Sequence, residues 1–143
     1  MAHDHLVAPT YAVRMYGEAL GDYQTVNGWW EARHPHPLPE TLLPPLGVIV
    51  EVGSEPVAAL WCYECFGIGV CFLEYAVANP TVHPHITRAA IDFALEACIE
   101  IAKMHGDFSY FRAVTSPTIA RHLQSLGFAL DERDCQQLTL RKD

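Results

Sequence analysis

The stretch 70-VCFLEYAVANPTVHPHITRAAIDFALEACIEIAKMHG-106 decides how this chain is organised. Val70–Ala78 is apolar at almost every position, which is typical of a central strand buried on both faces. A long helix is predicted from Ile86 to Gly106, where a glycine favours the helix end. A strand that enters a helix through a loop often forms a phosphate or cofactor site. Here the loop holds two histidines and no glycine.

The residues before this stretch predict one strand, one helix and two further strands. Asp22 is expected to cap the helix, and five prolines in 34–45 exclude regular structure after it. Short turns join the later strands to Val70–Ala78, which predicts an antiparallel meander. The predicted strands are Thr10–Tyr16, Gly47–Val52 and Val57–Glu64, and the predicted helix is Tyr23–Arg33.

After the long helix we expect another strand at Phe108–Thr115, parallel to Val70–Ala78 because a helix connects the two. Ser116 is predicted to cap a short helix, and Phe128–Leu130 with Gln136–Arg141 to form a closing hairpin. The fold class is therefore α+β, in the order β-α-β-β-β-α-β-α-β-β. We expect one domain over residues 1–143 with a mixed, mostly antiparallel sheet of about six to seven strands and about three to four helices.

The composition of the chain disfavours some classes of function. The 143 residues carry a formal net charge of −8, which disfavours a nucleic-acid partner. No apolar run approaches the ~20 residues of a membrane span. Five cysteines and no evident signal peptide are most simply explained by reduced thiols in the cytoplasm. Exposed edge strands make a homodimer plausible.

The element order resembles that of the GNAT superfamily of acyl-CoA-dependent N-acyltransferases, from about Tyr11 to Leu140. The best local match is 116-SPTIARHLQSLGF-128. Members of that family usually begin this helix with Asn, carry a Tyr within it and end it with Gly-Phe. Ser116 and Leu123 replace the Asn and the Tyr, whereas Gly127 and Phe128 agree. The resemblance implies acetyl-CoA, or another acyl-CoA, as cofactor and a small-molecule or peptide amine as acceptor.

The same resemblance implies where the cofactor would lie. In the family, a glycine-rich loop at the start of the long helix cradles the CoA pyrophosphate through backbone N–H groups. The matching stretch is 81-TVHPHIT-87, in which Pro84 lacks an N–H group. Side-chain donors would therefore replace the loop. The predicted cofactor contacts are Val77, Ala78, Asn79, His83, His85, Thr87, Arg88 and Ser116.

Glu74 is the candidate general base, because it places a carboxylate inside an apolar strand. A buried carboxylate either has a partner or has a raised pKa, and a raised pKa suits proton removal from an amine. The alternatives are a partner such as Arg112 or a wet cleft. Leu123 cannot serve as the general acid, so Ser116, Tyr110 or a histidine could take that role, or no specific acid is used.

The other distinctive residues have structural alternatives as well. Trp29 and Trp30 are predicted to line the acceptor side of the cleft, as is Tyr110, although each could simply be packed in the core. His83 and His85 could cap the long helix instead of contacting an anion. No metal site is predicted, because the pairs His34/His36 and His83/His85 match no standard ligand spacing. Cys62 and Cys65 are most simply buried apolar residues.

Two classes of function follow from these residues. The first is an acyltransferase in which an amine attacks the thioester directly, with Glu74 as base. The second is a GNAT-like fold without CoA turnover that now serves as a binding or regulatory protein. The glycine-free loop and Leu123 favour the second class, whereas Glu74 and the strand-loop-helix unit favour the first.

Overall fold

The computed structural model describes residues 8–134, 136 and 138–142. The chain forms two compact units, the first ending at Arg112 and the second starting at Ala113. The first unit contains the sheet up to Arg112 and two helices, and the second contains one helix. None of the described helices has the length and apolar character of a membrane span.

Five strands lie side by side in chain order in one sheet. The first four pair antiparallel with their neighbours, which confirms the predicted meander. The Gly69 carbonyl accepts hydrogen bonds from the N–H groups of Ser109 (3.0 Å) and Tyr110 (3.1 Å), so the last two strands start side by side. The strands are Tyr11–Met15 (β1), Leu46–Val52 (β2), Glu55–Cys65 (β3), Val70–Ala78 (β4) and Tyr110–Ala113 (β5).

The deepest strand is β3 rather than β4. Every residue in 57–62 of β3 is buried. At the start of β4 the burial of the side chains alternates, because Cys71 and Leu73 are buried and Phe72 between them is half-buried. Strand β4 has a neighbouring strand on each side, as predicted for a central strand. The prediction that it is buried on both faces is wrong, because only Cys71, Leu73 and Val77 of its residues are buried. The second face of β4 carries half-buried side chains instead.

The helices begin and end close to the predicted residues. The second starts two residues before Ile86, because Pro84 takes the first helical position, where the missing N–H costs nothing. Ser116 caps the third as predicted, since its Oγ accepts a hydrogen bond from the N–H of Ile119 at 3.4 Å. The helices are Asp22–Glu31 (α1), Pro84–His105 (α2) and Pro117–Ser125 (α3), with a 3-10 turn at Glu40–Leu42.

The number of strands is lower than predicted. The described residues of Phe128–Leu130 and Gln136–Arg141 are in no strand, and Gln137 lies outside the described residues. A strand of three residues is the shortest that proteins use, and an isolated hairpin is only marginally stable. The described residues therefore show five strands and the predicted element order up to α3, without the closing hairpin.

The two faces of the sheet have cores of different composition. On one face α2 crosses β1 to β4, and small side chains such as Ala94 and Ala102 allow a close approach. On the opposite face α1 packs against β4. The core of that face contains six aromatic residues, which we call the aromatic cluster: Tyr16, Tyr23, Trp29, Trp30, Trp61 and Tyr75.

Gly47 makes room for the aromatic cluster. It stands opposite Trp61 in the pairing of β2 with β3. A Cβ atom at Gly47 would come within 2.4 Å of the Trp61 indole, far inside van der Waals contact. The absence of a side chain at this position therefore lets the indole lie flat over β2.

Candidate active site

The centre of the candidate site is a β-bulge in β4. Glu74 pairs with Trp61 and Val77 pairs with Ala59, so that two residues of β4 stand opposite one residue of β3. The first of these two residues, Tyr75, has a φ of +59°, which is uncommon for a bulky side chain. Bulges bend a strand and re-aim its side chains, and they are frequent beside active sites. Strain of this kind also concentrates at functional sites.

Glu74 lies directly before the bulge. Its side chain is half-buried, and burial raises the pKa of its carboxyl above the ordinary value. In the part of the chain that the structure describes, no hydrogen bond or ion pair reaches this carboxylate, and Arg112 does not pair with it. A half-buried carboxylate without a partner, held by a bent strand, is suited to accept a proton from a ligand.

Tyr63 is a neighbour of this carboxylate that sequence reasoning missed. Burial raises the pKa of the Tyr63 hydroxyl, and the neighbouring Tyr75 hydroxyl and the Glu74 carboxylate raise it further. The hydroxyl donates a hydrogen bond to the carbonyl of Leu42, which anchors the proline-rich segment to β3. The sequence contains no signal for this contact, because Tyr63 reads as an ordinary strand residue.

The edge of β4 after the bulge is open. The two strands start together at Gly69 and Tyr110, but β4 has nine residues and β5 has four. Among the described residues, β5 can therefore pair along less than half of β4. The backbone of Val77 and Ala78 is paired with β3 on one side, and its opposite edge can accept an extended ligand.

Asn79 holds the turn between β4 and α2. Its N–H donates to the carbonyl of Val57 (2.9 Å), and its Oδ1 accepts from the N–H (3.0 Å) and hydroxyl (2.8 Å) of Thr81. Its amide also donates to the carbonyl of Pro56 (3.3 Å). These intramolecular bonds fix the direction in which the chain enters α2.

The start of α2 differs from an ordinary anion-binding helix end. Pro84 has no N–H, and the N–H of His85 is capped by Nδ1 of His83 at 3.1 Å. The N–H groups of Ile86 and Thr87 both bond to the carbonyl of His83. The N–H groups of these first helical residues are thus already used within the chain, so an anion at this helix end depends mainly on side chains.

The side chains at this helix end are well placed to do so. His83 and His85 are exposed, and their rings stack with centroids 5.0 Å apart. Arg88 is exposed one turn further along α2, and Thr87 donates its hydroxyl to the carbonyl of Pro84 (3.3 Å). The capping role that the sequence left open for the histidines is therefore observed for His83, while His85 and Arg88 stay accessible.

The two tryptophans of α1 have different environments. Trp29 is 7% exposed and belongs to the core. Trp30 is half-buried, stacks on His34 at 3.7 Å and meets Tyr75 edge-on at 5.7 Å. Of the two, Trp30 is therefore the one that reaches the bulge.

Two other predicted site residues belong to β5 and to the cap of α3. Tyr110 is 71% exposed and stands beside Gly69, five residues before Glu74 along β4, or about 16 Å at strand spacing. The structure does not bring Tyr110 to the bulge, because β5 starts level with β4. Ser116 belongs to the second unit, where it caps α3, and Leu123 is buried in that helix.

The cysteines form a buried set under α2. Cys62, Cys71 and Cys98 are free and buried; burial raises the pKa of the Cys62 thiol and raises that of Cys98 to about 12. Such thiols are poor nucleophiles. Among the described residues, no group of three or more His, Cys, Asp or Glu side chains is arranged to hold a metal ion.

Comparison with solved structures identifies the fold. An aminoglycoside N-acetyltransferase in complex with CoA superposes with a TM-score of 0.65 over 93% of this chain and 97% of its own, at 18% identity. The chain has the GNAT fold. An acetyltransferase of Trypanosoma brucei superposes with a TM-score of 0.62 at 16% identity, covering 92% of this chain and all of its own.

A third GNAT-fold structure is the ribosomal-protein-S18-alanine N-acetyltransferase of Escherichia coli. It has a TM-score of 0.60 and 13% identity, and the match covers 82% of this chain and 77% of that enzyme. No protein-family model matches the sequence, and no curated protein matches it either. The predicted resemblance is thus confirmed at the level of the fold.

Proposed function

We propose that the protein is an N-acyltransferase, in its simplest form an N-acetyltransferase, that moves an acyl group from acyl-CoA to an amine. The observation that carries the proposal is the β4 bulge with the unpaired, half-buried Glu74 directly before it. The GNAT fold supports it, since solved structures of this fold include N-acetyltransferases in complex with CoA. The fold by itself does not assign the reaction, so the site must carry it.

The residues present can hold a CoA thioester, with side chains in place of the usual backbone N–H groups at the pyrophosphate. The open edge of β4 offers backbone N–H and C=O groups of Val77 and Ala78 to the pantetheine arm. At the start of α2, the imidazoles of His83 and His85 and the Arg88 guanidinium would contact the pyrophosphate, helped by the helix dipole. The Thr87 hydroxyl would join them only by giving up its bond to the Pro84 carbonyl. Asn79 acts here by fixing the turn. Ser116 stays a predicted contact.

The proposed reaction consists of one addition step and one elimination step. The amine nitrogen attacks the thioester carbonyl carbon, a C–N bond forms, and the C–S bond breaks to release CoA thiolate. Glu74 takes a proton from the ammonium form of the amine before attack, and the N–H proton that is lost on attack passes to the thiolate, so that CoA leaves as the thiol. A backbone N–H near Val77 would polarise the thioester carbonyl, which is the usual way to stabilise the developing oxyanion.

A hydrogen-bond donor would stabilise the thiolate as it leaves. Ser116 is the candidate, because its Oγ accepts the capping hydrogen bond and its own O–H remains able to donate. The thiol of CoA is also acidic enough to leave without a specific donor, since thiols have a pKa near about 8.5. A Ser116→Ala variant separates these two routes.

The test of the reaction is acetyl transfer by purified protein and by its Glu74→Gln variant, with release of free CoA thiol measured across pH. Because Glu74 must be ionised to act, kcat/KM of the natural chain should rise as pH rises through its raised pKa. In the Glu74→Gln variant kcat should fall about 10²–10³-fold, and kcat/KM should no longer rise with pH in this range. CoA binding should be unchanged.

Glu96→Gln is the matched control, because Glu96 is exposed on α2 and should leave kcat and the pH profile as they are. Equal turnover by Glu74→Gln and the natural chain would remove Glu74 from the mechanism. Binding of CoA without transfer to any amine would leave the fold with a binding or regulatory role.

A further inference from the structure

The acceptor side of the proposed site has an unusual composition. All three tryptophans of the chain belong to the core of the α1 face, and part of this aromatic cluster continues to the surface. Trp30 and Tyr75 are half-buried, and His34 and His36 are exposed. We call these four residues the aromatic patch.

The aromatic patch is continuous. The Trp30 ring stacks on His34 with an interplanar angle of 8°, and it meets Tyr75 edge-on at 5.7 Å. His36 lies 6.0 Å from Trp30 and 5.9 Å from His34. Such contacts hold the rings in a fixed wall and do not leave them as separate surface side chains.

The aromatic patch also reaches the proposed base. Tyr75 directly follows Glu74, and both side chains lie close enough to the Tyr63 hydroxyl to raise its pKa, so the rings begin beside the carboxylate. The indole N–H of Trp30 is buried, and no hydrogen bond to it is formed by the described residues. A ligand that places a charged group on Glu74 would therefore extend its remaining atoms over aromatic rings.

Charge complementarity determines the sign of that ligand. Glu74 has no cation beside it among the described residues, and a half-buried carboxylate gains from an ammonium partner. Aromatic faces attract ammonium groups as well. A polar polyamine would satisfy the carboxylate but would leave the rings uncovered, whereas an arylamine would lack the ammonium.

This inference rests on the proposed function and names its substrate. We propose that the acyl acceptor is a primary arylalkylamine, in which an ammonium group is joined by a short linker to an aromatic ring. The ammonium binds at Glu74 and gives up its proton there, and the ring packs on Trp30 and Tyr75. The reaction is the acyl transfer described above, with the N-acyl arylalkylamine and CoA as products.

The experiment compares acetylation of phenethylamine, n-butylamine, aniline and neamine with acetyl-CoA as donor. Phenethylamine should have a kcat/KM at least about tenfold above that of each of the others, as expected for burial of one ring. In the Trp30→Ala variant the ratio of phenethylamine to n-butylamine should fall towards one, and Trp30→Phe should restore it.

Controls keep the result interpretable. Phe66→Ala removes a 65% exposed aromatic residue from the turn before β4 and should leave the ratio unchanged.

His34→Ala removes an exposed stacking partner of Trp30, so it provides a second test if Trp30→Ala does not fold. It should lower the ratio of phenethylamine to n-butylamine at least about threefold. A natural chain that acetylates n-butylamine or neamine as well as phenethylamine overturns the inference but not the proposed function. Absence of CoA binding overturns both.

Discussion

Asp22 is 6% exposed, and four hydrogen bonds converge on its carboxylate. Two come from the guanidinium of Arg14 at 2.8 Å each, and two from the N–H groups of Gly17 (2.8 Å) and Ala19 (3.3 Å). Arg14 also bonds Glu51 at 2.9 Å. The sequence predicted Asp22 as the N-cap of α1, but it is the first helical residue, and its carboxylate ties β1 to the loop before α1.

This ion pair should make stability depend on pH. The Arg14 guanidinium holds the pKa of Asp22 below its ordinary value, so the stabilisation is present above that ordinary value and is lost as pH falls through the lowered pKa. Asp22→Asn should cost about 3 kcal/mol at pH 7, because it leaves Arg14 largely buried with only Glu51.

Urea unfolding of both proteins at neutral and acid pH measures this difference. The difference in free energy of unfolding between Asp22→Asn and the natural chain should become smaller as the pH is lowered. Asp107→Asn, a change of an exposed carboxylate, should have no effect. A cost for Asp22→Asn that stays the same at every pH would show that shape, and not charge, makes Asp22 important.

At the scale of elements, the start of α2 sets how CoA would be held. Since the first N–H groups of the helix are used within the chain, affinity for the pyrophosphate should depend on side chains. Arg88→Ala should therefore weaken CoA binding about fivefold to tenfold, the usual worth of a charge-assisted phosphate contact. Binding of pantetheine, which has no pyrophosphate, should not change.

Lys103→Ala is the matched control, because Lys103 is an exposed cation near the other end of α2. It alters the net charge by the same amount without touching the helix start. Inhibition constants of CoA and pantetheine against acetyl-CoA turnover measure both effects. An equal loss for the two ligands in Arg88→Ala would mean that the arginine does not contact the pyrophosphate.

The elements also show where sequence reasoning reaches its limit. Strand β4 was predicted at its observed residues, because its apolar run has clear ends. The bulge inside it was not predicted, since a tyrosine at a φ of +59° carries no glycine or asparagine signal. The start of α2 was predicted two residues late, because Pro84 was treated as a break and not as a first helical residue.

At the scale of the whole molecule, the order of elements was enough to predict the GNAT fold, which depends on connectivity and on apolar patterns more than on particular residues. The sites are less predictable. Glu74 is a candidate because a carboxylate in an apolar strand is conspicuous, and Trp30 because tryptophans are rare, and both stay predictions. The contact of Trp30 with Tyr75 is a tertiary feature with no local pattern, and the distance of Tyr110 from the bulge follows from the level start of β4 and β5, which the sequence does not indicate.

The most direct test of the account is calorimetric titration of the purified chain with CoA, combined with unfolding at saturating ligand. We expect one CoA to bind per chain, and at 100 times its Kd to raise the free energy of unfolding by about 2.7 kcal/mol. No heat of binding together with an unchanged unfolding midpoint would contradict the proposal that this GNAT fold uses acyl-CoA.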